Sequence, residues 1–162
     1  MISVTRVVAV LCAGVMTGLL FGDWLGASFA RAQLPLPAFV QFQQIIHYNY
    51  LKVLPAFSML ALLAPILWAF LIRKRKSDAE FKILLAAIVA IAVGFTITFV
   101  YNVPVNDQLE SWNHNSPPAN ARELWHPWEI AHNVRTVFWA AGFLLEIIAL
   151  TVAANLNTES SH

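Results

Sequence analysis

Charged residues and cysteine are both scarce in this chain, and each scarcity excludes a class of protein. Asp, Glu, Lys and Arg make up only 12% of its 162 residues, whereas soluble proteins carry about 25%. A formal net charge of +1 leaves no basic face for nucleic acid, so we expect no nucleic-acid partner. The single cysteine, Cys12, excludes an internal disulfide framework and a cysteine-built metal site. We predict that it is inert packing within an apolar run.

Long apolar runs are what the chain has in abundance. Hydrophobic residues make up 59% of the sequence, and its mean hydropathy is +0.63. A helix of ~20 apolar residues crosses the hydrocarbon core and satisfies its backbone groups internally. We therefore predict an all-α bundle of four transmembrane helices in the lipid bilayer, forming a single membrane domain over residues 1–162. The predicted spans are residues 7–29, 53–72, 81–101 and 134–154.

A basic loop between the second and third spans predicts the orientation of the bundle. Residues 73–76 read Arg-Lys-Arg-Lys, and short loops rich in these residues stay in the cytoplasm. We predict a multi-pass protein of the cell (inner) membrane with both termini in the cytoplasm. The connections at residues 30–52 and 102–133 then face outward. Cleavage of the first span at residues 30–32 (Ala-Arg-Ala) is an alternative, although that apolar run exceeds a ~7–15-residue signal core.

Four of the six glycines recur every four residues in the first span, at Gly14, Gly18, Gly22 and Gly26. On a helix this spacing makes a ridge without side chains, which lets another helix approach closely. We predict that the ridge packs against another span of this chain. Pairing with a second copy, which would make a homo-oligomer, is the alternative.

Two carboxylates, Asp23 and Glu146, lie within predicted spans. Such groups rarely face lipid and are functional candidates by default. Asp23 lies near the outer end of the first helix, where a site role and a structural hydrogen bond are both open. Glu146 lies about 13 residues into the fourth span, ~20 Å down the helix. We predict that the two do not form a paired-carboxylate site and that Glu146 is structural or protonated.

A polar, tryptophan-rich connection separates the third and fourth spans. Residues 101–136 hold three of the six tryptophans and three of the five histidines, and a plain connector needs none of that chemistry. Trp125 and Trp128 are candidates for stacking on an aromatic ligand. Their alternative explanation is an aromatic belt at the lipid headgroups.

Prolines and asparagines in this connection indicate where its helices end or kink. Pro104 predicts that the third span ends or kinks, and Asn102 and Asn106 are then either caps for the freed backbone groups or ligand contacts. Residues 115–120 read as a loop. We predict a further helix from about residue 121, broken at Pro127.

The remaining candidate site residues are His47, His132, Asn133 and Arg135. A helix over residues 38–51 would place His47 at the outer membrane boundary, where it is either a site residue or an idle interfacial histidine. Arg135 begins the fourth span beside His132 and Asn133. It either snorkels to the interface or supplies a positive charge to an anionic or enolate-like group.

The sequence gives only weak evidence for a metal site. Glu129 and His132 form a Glu-x-x-His pair, but a di-iron bundle needs a second such pair. A mononuclear site from His47, His126 and His132 matches no standard motif. We predict no metal and no cofactor.

The motifs together resemble those of the anthrone oxygenase-like family of small four-helix membrane proteins. The resemblance rests on residues 102–106 (Asn-Val-Pro-Val-Asn), Trp112, residues 121–125 (Ala-Arg-Glu-Leu-Trp), Trp128 and residues 133–136 (Asn-Val-Arg-Thr). It implies the four-helix fold. It also implies an activity, since the characterised members oxidise an anthrone to an anthraquinone with dioxygen.

Two functions follow as hypotheses. The first is an oxygenase or oxidoreductase acting on an apolar, phenolic, anthrone-like small molecule that enters from the membrane. Its catalytic residues would be His47 or His132 as base and Arg135 as partner of the oxyanion; the substrate-binding residues would be Asn102, Asn106, Trp125, Trp128 and Asn133. The alternative is a non-enzymatic membrane subunit or lipophile-binding module.

Overall fold

The computed structural model describes residues 2–74 and 78–159, which form five continuous helices. Helix α1 comprises Ile2–Gly22, a π-helical turn at Asp23–Ala27 and Ser28–Ala32; α2 is Leu36–Leu51 and α3 is Leu54–Ile72. Helix α4 comprises Asp78–Ile97, a second π-helical turn at Thr98–Asn102 and Val103–Glu110, and α5 is Ala121–Glu159. Of these described helices, all except α2 are long and apolar enough to cross a membrane. The predicted four-helix membrane bundle is confirmed, while Arg75 and Lys76 of the basic loop lie outside the described residues.

The four long helices pack in two tight pairs, α1 with α3 and α4 with α5, which meet along α1 and α5. Three clusters of buried side chains follow one another along the bundle. The first surrounds Trp68 and Leu84, and the second surrounds Met16, Ile91 and Trp139. In the third, α2 packs across one end of the bundle through Phe39 and Val40. That end, called the α2 end below, holds the polar residues singled out from the sequence.

The glycine ridge is only partly a packing surface. A Cβ added to Gly14 would lie 3.0 Å from the ring of Phe143, but one added to Gly18, Gly22 or Gly26 would meet nothing within 4 Å. The prediction that all four pack inside this chain was therefore wrong for three of them. Periodicity identifies a helix face, but it does not indicate whether a neighbour lies opposite that face.

The connection between the third and fourth spans is shorter and more helical than predicted. Helix α4 continues past Pro104 to Glu110, and α5 runs through Pro127 without a break. Pro104 follows a π-helical turn and lies in the first turn of the next α-helical stretch, where its missing N–H costs little. Pro127 lies on an exposed face of α5, so the carbonyl that loses its partner four residues earlier need not be buried.

The tryptophans of this connection are buried in protein. Trp112, Trp125 and Trp128 are 8%, 3% and 8% exposed, and all three belong to the cluster under α2. The belt interpretation of Trp125 and Trp128 is therefore wrong, because a belt side chain would face the headgroups. Helix α2 covers them instead.

Candidate functional site

A cavity of about 320 Å³ lies between the four long helices at the α2 end. This volume is at the lower limit of ligand pockets, which span about 300–1,000 Å³. Most of the wall is apolar. The polar side chains that line it are His47, Tyr50, Ser58, Thr98, Asn106 and Arg135.

The cavity reaches the surface within the membrane-spanning part of the bundle. Two of its lining residues, Met59 of α3 and Phe99 of α4, are 47% and 63% exposed. Both lie in helices long and apolar enough to cross a membrane. The cavity wall therefore includes exposed apolar side chains on two helices that could cross a membrane.

Arg135 brings an unpaired positive charge to the cavity wall. Its Nη1 donates to the Thr98 hydroxyl at 3.2 Å and its Nη2 donates to His132 Nδ1 at 3.0 Å. The guanidinium carbon lies 5.3 Å from the centroid of the Trp128 ring, within range of a cation–π interaction. Its Nε is buried without a hydrogen-bond partner, and within residues 2–74 and 78–159 no carboxylate forms an ion pair with it.

A second arginine at the α2 end, Arg31, is neutralised. Its Nη1 donates to both carboxylate oxygens of Asp23, at 2.8 and 2.9 Å, and its Nε lies 3.4 Å from Glu129 Oε1. Asp23 and Arg31 are 4% and 1% exposed. Sequence reasoning did not identify this pair, because positions eight apart are offset by about 80° around an ordinary α-helix. The π-helical turn between them adds one residue, so Arg31 returns to the face of Asp23.

His132 lies between these two charged groups. Its ring stacks on Trp128 with a centroid distance of 4.8 Å and an interplanar angle of 4°. Its Nε2 lies 3.2 Å from the Leu20 carbonyl oxygen and 3.4 Å from Asp23 Oδ2. The side chain is buried, so both ring nitrogens are occupied by protein groups.

His47 contacts the cavity from the side of α2. Its Nε2 lies 3.3 Å from Glu110 Oε1, whereas its Nδ1 has no hydrogen-bond partner among the described residues. Asn106, one turn before Glu110 on α4, also lines the cavity and makes no side-chain hydrogen bond within the described part of the chain. Both groups are therefore available to a ligand.

Tyr50 lines the cavity but was not among the site residues predicted from the sequence. Burial, and then the negative charge of Asp23, raise the pKa of its phenol, although Arg31 acts in the opposite direction. The phenol is therefore a neutral hydrogen-bond donor on the wall. Its position one turn after His47 on α2 was the available signal.

Most residues that line this cavity lie in a part of the chain that matches a known protein family. The family model for anthrone oxygenase matches residues 42–145, which is more than half of the chain. The chain belongs to the anthrone oxygenase family. Comparisons with curated proteins and with solved structures found no match.

In this member of the anthrone oxygenase family, the remaining predicted site residues lie outside the cavity of about 320 Å³. Asn102 is fully buried, and its Nδ2 donates across to the Trp128 carbonyl oxygen at 3.1 Å. It does not cap the helix after Pro104, so the capping interpretation was wrong for this residue. Trp125 stacks on Trp128 at 4.4 Å and lines an adjoining space of about 40 Å³ together with His132. Asn133 lines neither space.

No metal centre is present among the described residues, since no three His, Cys, Asp or Glu side chains converge there. Glu129 is engaged by Arg31, and His126 is exposed. The Glu-x-x-His pair is therefore not assembled into a ligand set.

Proposed function

We propose that this member of the anthrone oxygenase family is a membrane oxidoreductase that oxidises an apolar, phenolic, anthrone-like substrate with dioxygen. One observation carries the proposal: a largely apolar cavity whose polar wall combines His47, Asn106 and an Arg135 without a carboxylate partner. The apolar wall would contact the polycyclic ring system of such a substrate, and the polar side chains would contact its oxygen substituent.

We propose separate roles for these three residues. A carboxylate only accepts hydrogen bonds, so Glu110 favours the His47 tautomer with the hydrogen on Nε2. The Nδ1 lone pair of His47 then serves as the base for an acidic C–H of the substrate. Arg135 and Asn106 donate to the oxygen that becomes negative as the proton leaves. Trp128 supplies an aromatic face beside it.

The reaction balances without a further reductant. His47 takes one proton from the ring carbon, and the resulting carbanion passes an electron to dioxygen. The radical and superoxide recombine to form the C–O bond, and the peroxide anion takes the proton back from His47 to give a hydroperoxide. Loss of the second proton from that carbon, with cleavage of the O–O bond, gives the ketone and hydroxide, which the released proton converts to water. Anthrone and dioxygen thus become anthraquinone and water.

The substrate would enter from the bilayer between α3 and α4. We also propose the inner membrane as the location, with both termini cytoplasmic, because Arg73 and Lys74 of the predicted basic loop follow the end of α3 that lies opposite the α2 end. The cavity would then lie in the outer half of the membrane. Access of a cysteine-directed label to Thr158→Cys, only after the inner face is opened, would support this orientation.

Turnover of anthrone by the purified protein in detergent tests the activity. Dioxygen uptake and anthraquinone absorbance should exceed the background of empty micelles, and His47→Ala should reduce the rate about 10²-fold or more, as for loss of a general base. His132→Ala is measured alongside it. If activity survives both substitutions, no histidine of this site is the base.

The alternative, a lipophile-binding module, is favoured by the exposed apolar side chains of Met59 and Phe99 on the cavity wall. It predicts saturable binding of an apolar aromatic without any dioxygen uptake. The same preparation distinguishes the two functions, because binding and oxygen consumption are measured separately.

A further inference from the structure

Arg135 is held in place by Thr98 of α4 and by His132 of its own helix, α5, and each of these residues is linked to a π-helical turn. Thr98, which accepts from Nη1, is the first residue of the turn in α4. His132, which contacts Nη2, is itself contacted by Asp23, the first residue of the turn in α1. π-Helical turns are rare and occur often at functional sites. Here one turn contacts the Arg135 guanidinium through Thr98, and the other is linked to it only through His132.

Hydrogen-bond chemistry determines the state of His132. A guanidinium has donors and no acceptor, so the 3.0 Å contact requires a lone pair on His132 Nδ1. The hydrogen of the neutral ring is then on Nε2. That nitrogen faces two acceptors, the Leu20 carbonyl at 3.2 Å and Asp23 Oδ2 at 3.4 Å. Neither nitrogen is left to take a proton from a ligand.

The charges around this arrangement leave Arg135 positive towards the cavity. Asp23 could have neutralised it, but both of its oxygens accept from Arg31 Nη1. Glu129 also lies against Arg31. His132 accepts a hydrogen bond from Arg135 and lies between that guanidinium and Asp23, so the carboxylate is kept out of contact with Arg135.

We propose that His132 is a positioning residue: with Thr98, it holds the guanidinium of Arg135 so that the cavity prefers ligands with an anionic oxygen over neutral ligands of the same shape. This inference rests on the proposed function only in taking the cavity as the ligand site. It assigns the base role to His47 alone. It also identifies the ligand class as aromatic weak acids in their anionic form, such as phenolates, enolates or carboxylates.

A pair of probes measures the preference directly. 1-Naphthoate carries a carboxylate, and 1-methylnaphthalene has a similar ring body without a charge. Their dissociation constants are measured on the full chain at pH 8 by quenching of tryptophan fluorescence, corrected for partition into empty micelles. The wild type should bind 1-naphthoate more tightly. Arg135→Gln should reduce the preference about tenfold, as expected for a hydrogen bond to a charged group.

Substitutions at His132 and Thr98 test whether these side chains position the Arg135 guanidinium or only fill space. His132→Leu removes the acceptor and should reduce the preference severalfold, whereas His132→Gln restores an acceptor and should recover most of it. Thr98→Val should reduce the preference without any change at His132. Thr96→Val is its matched control, because Thr96 donates to the carbonyl four residues earlier at 3.0 Å, as Thr98 does at 2.9 Å, but is exposed and lies outside the cavity.

These binding measurements test the proposed role of His132 independently of whether the protein oxidises anthrone. A wild type that binds both probes equally would overturn it even if the protein is an active oxygenase. An intact preference in a folded His132→Leu, or in Thr98→Val, would also overturn it. If His132→Leu does not fold, Thr98→Val against Thr96→Val still decides the result. An anion preference that follows this pattern without any turnover supports the positioning role and removes the proposed oxygenase activity.

Discussion

The contact between α4 and α5 at Gly142 makes the sharpest stability prediction. A Cβ added there would lie 2.6 Å from Ile91 Cγ1, 3.2 Å from Ile91 Cδ1 and 3.3 Å from the Ala87 carbonyl oxygen. Carbon atoms without a bond between them prefer about 3.5–4.0 Å, so the overlap with Cγ1 is close to 1 Å. Ile91 is fully buried, and the Ala87 oxygen belongs to the backbone, so neither atom moves aside easily. We expect Gly142→Ala to lower the free energy of unfolding by about 1–3 kcal/mol, the usual range for overpacking.

Gly18→Ala is the matched control for this substitution. It makes the same chemical change in a membrane helix, but its Cβ would meet nothing within 4 Å. We expect no loss of stability from it, and at most the gain of about 0.5–1 kcal/mol that alanine has over glycine in a helix. The assay is equilibrium unfolding of the purified protein in mixed micelles, followed by tryptophan fluorescence.

The reasoning fails if Gly18→Ala destabilises the protein as much as Gly142→Ala does. In that case the open face of α1 at Gly18, Gly22 and Gly26 would be packed against something in the micelle. The second copy predicted as an alternative would then be the first explanation. A loss of oligomer size in Gly18→Ala, measured by light scattering, would identify it.

Two further predictions concern buried polar groups. Glu146→Met should raise the free energy of unfolding by about 1–3 kcal/mol, because both carboxyl oxygens are buried without a hydrogen-bond partner among the residues that the structure describes. A lower unfolding midpoint in mixed micelles would show that the carboxyl has a partner or a function. For Tyr50, burial, and then the negative charge of Asp23, raise the pKa of the phenol above its ordinary value of 10.0, against the opposing effect of Arg31. The unfolded chain therefore ionises first, and stability should fall as the pH rises above 10 until the folded-state pKa is passed. Tyr50→Phe should remove this part of the decline, and an unchanged slope between pH 9 and pH 11 would contradict the burial argument.

Much of the architecture was predictable because lipid imposes a simple condition on the sequence. Each spanning helix must be apolar over ~20 residues, and four such runs are visible without a structure. Helix α2 was also predictable, since Pro37 suits the first turn of a helix. The failures occurred at Pro104 and Pro127, where a residue that usually interrupts a helix lies beside a π-helical turn or on an exposed face.

The candidate site was predictable as a set of residues but not as an arrangement. His47, Asn106, Trp128 and Arg135 were all named from the sequence, and the cavity brings them together. Asn102 could not be separated from Asn106, because the π-helical turn that buries Asn102 has no clear sequence signal. His132 was named as a base, whereas its neighbours Arg135 and Asp23 occupy both of its ring nitrogens.

Consecutive residues were enough to identify this protein as a four-helix membrane bundle of the anthrone oxygenase family, because apolar run length and local motifs can be recognised without a structure. Which charges are neutralised depends instead on contacts between distant parts of the chain. Two π-helical turns rotate Asp23 towards Arg31 and present Thr98 to Arg135, and those rotations depend on the packing of separate helices. The lone positive charge on the cavity wall is therefore a property of the fold, since no stretch of the sequence shows which arginine retains its charge.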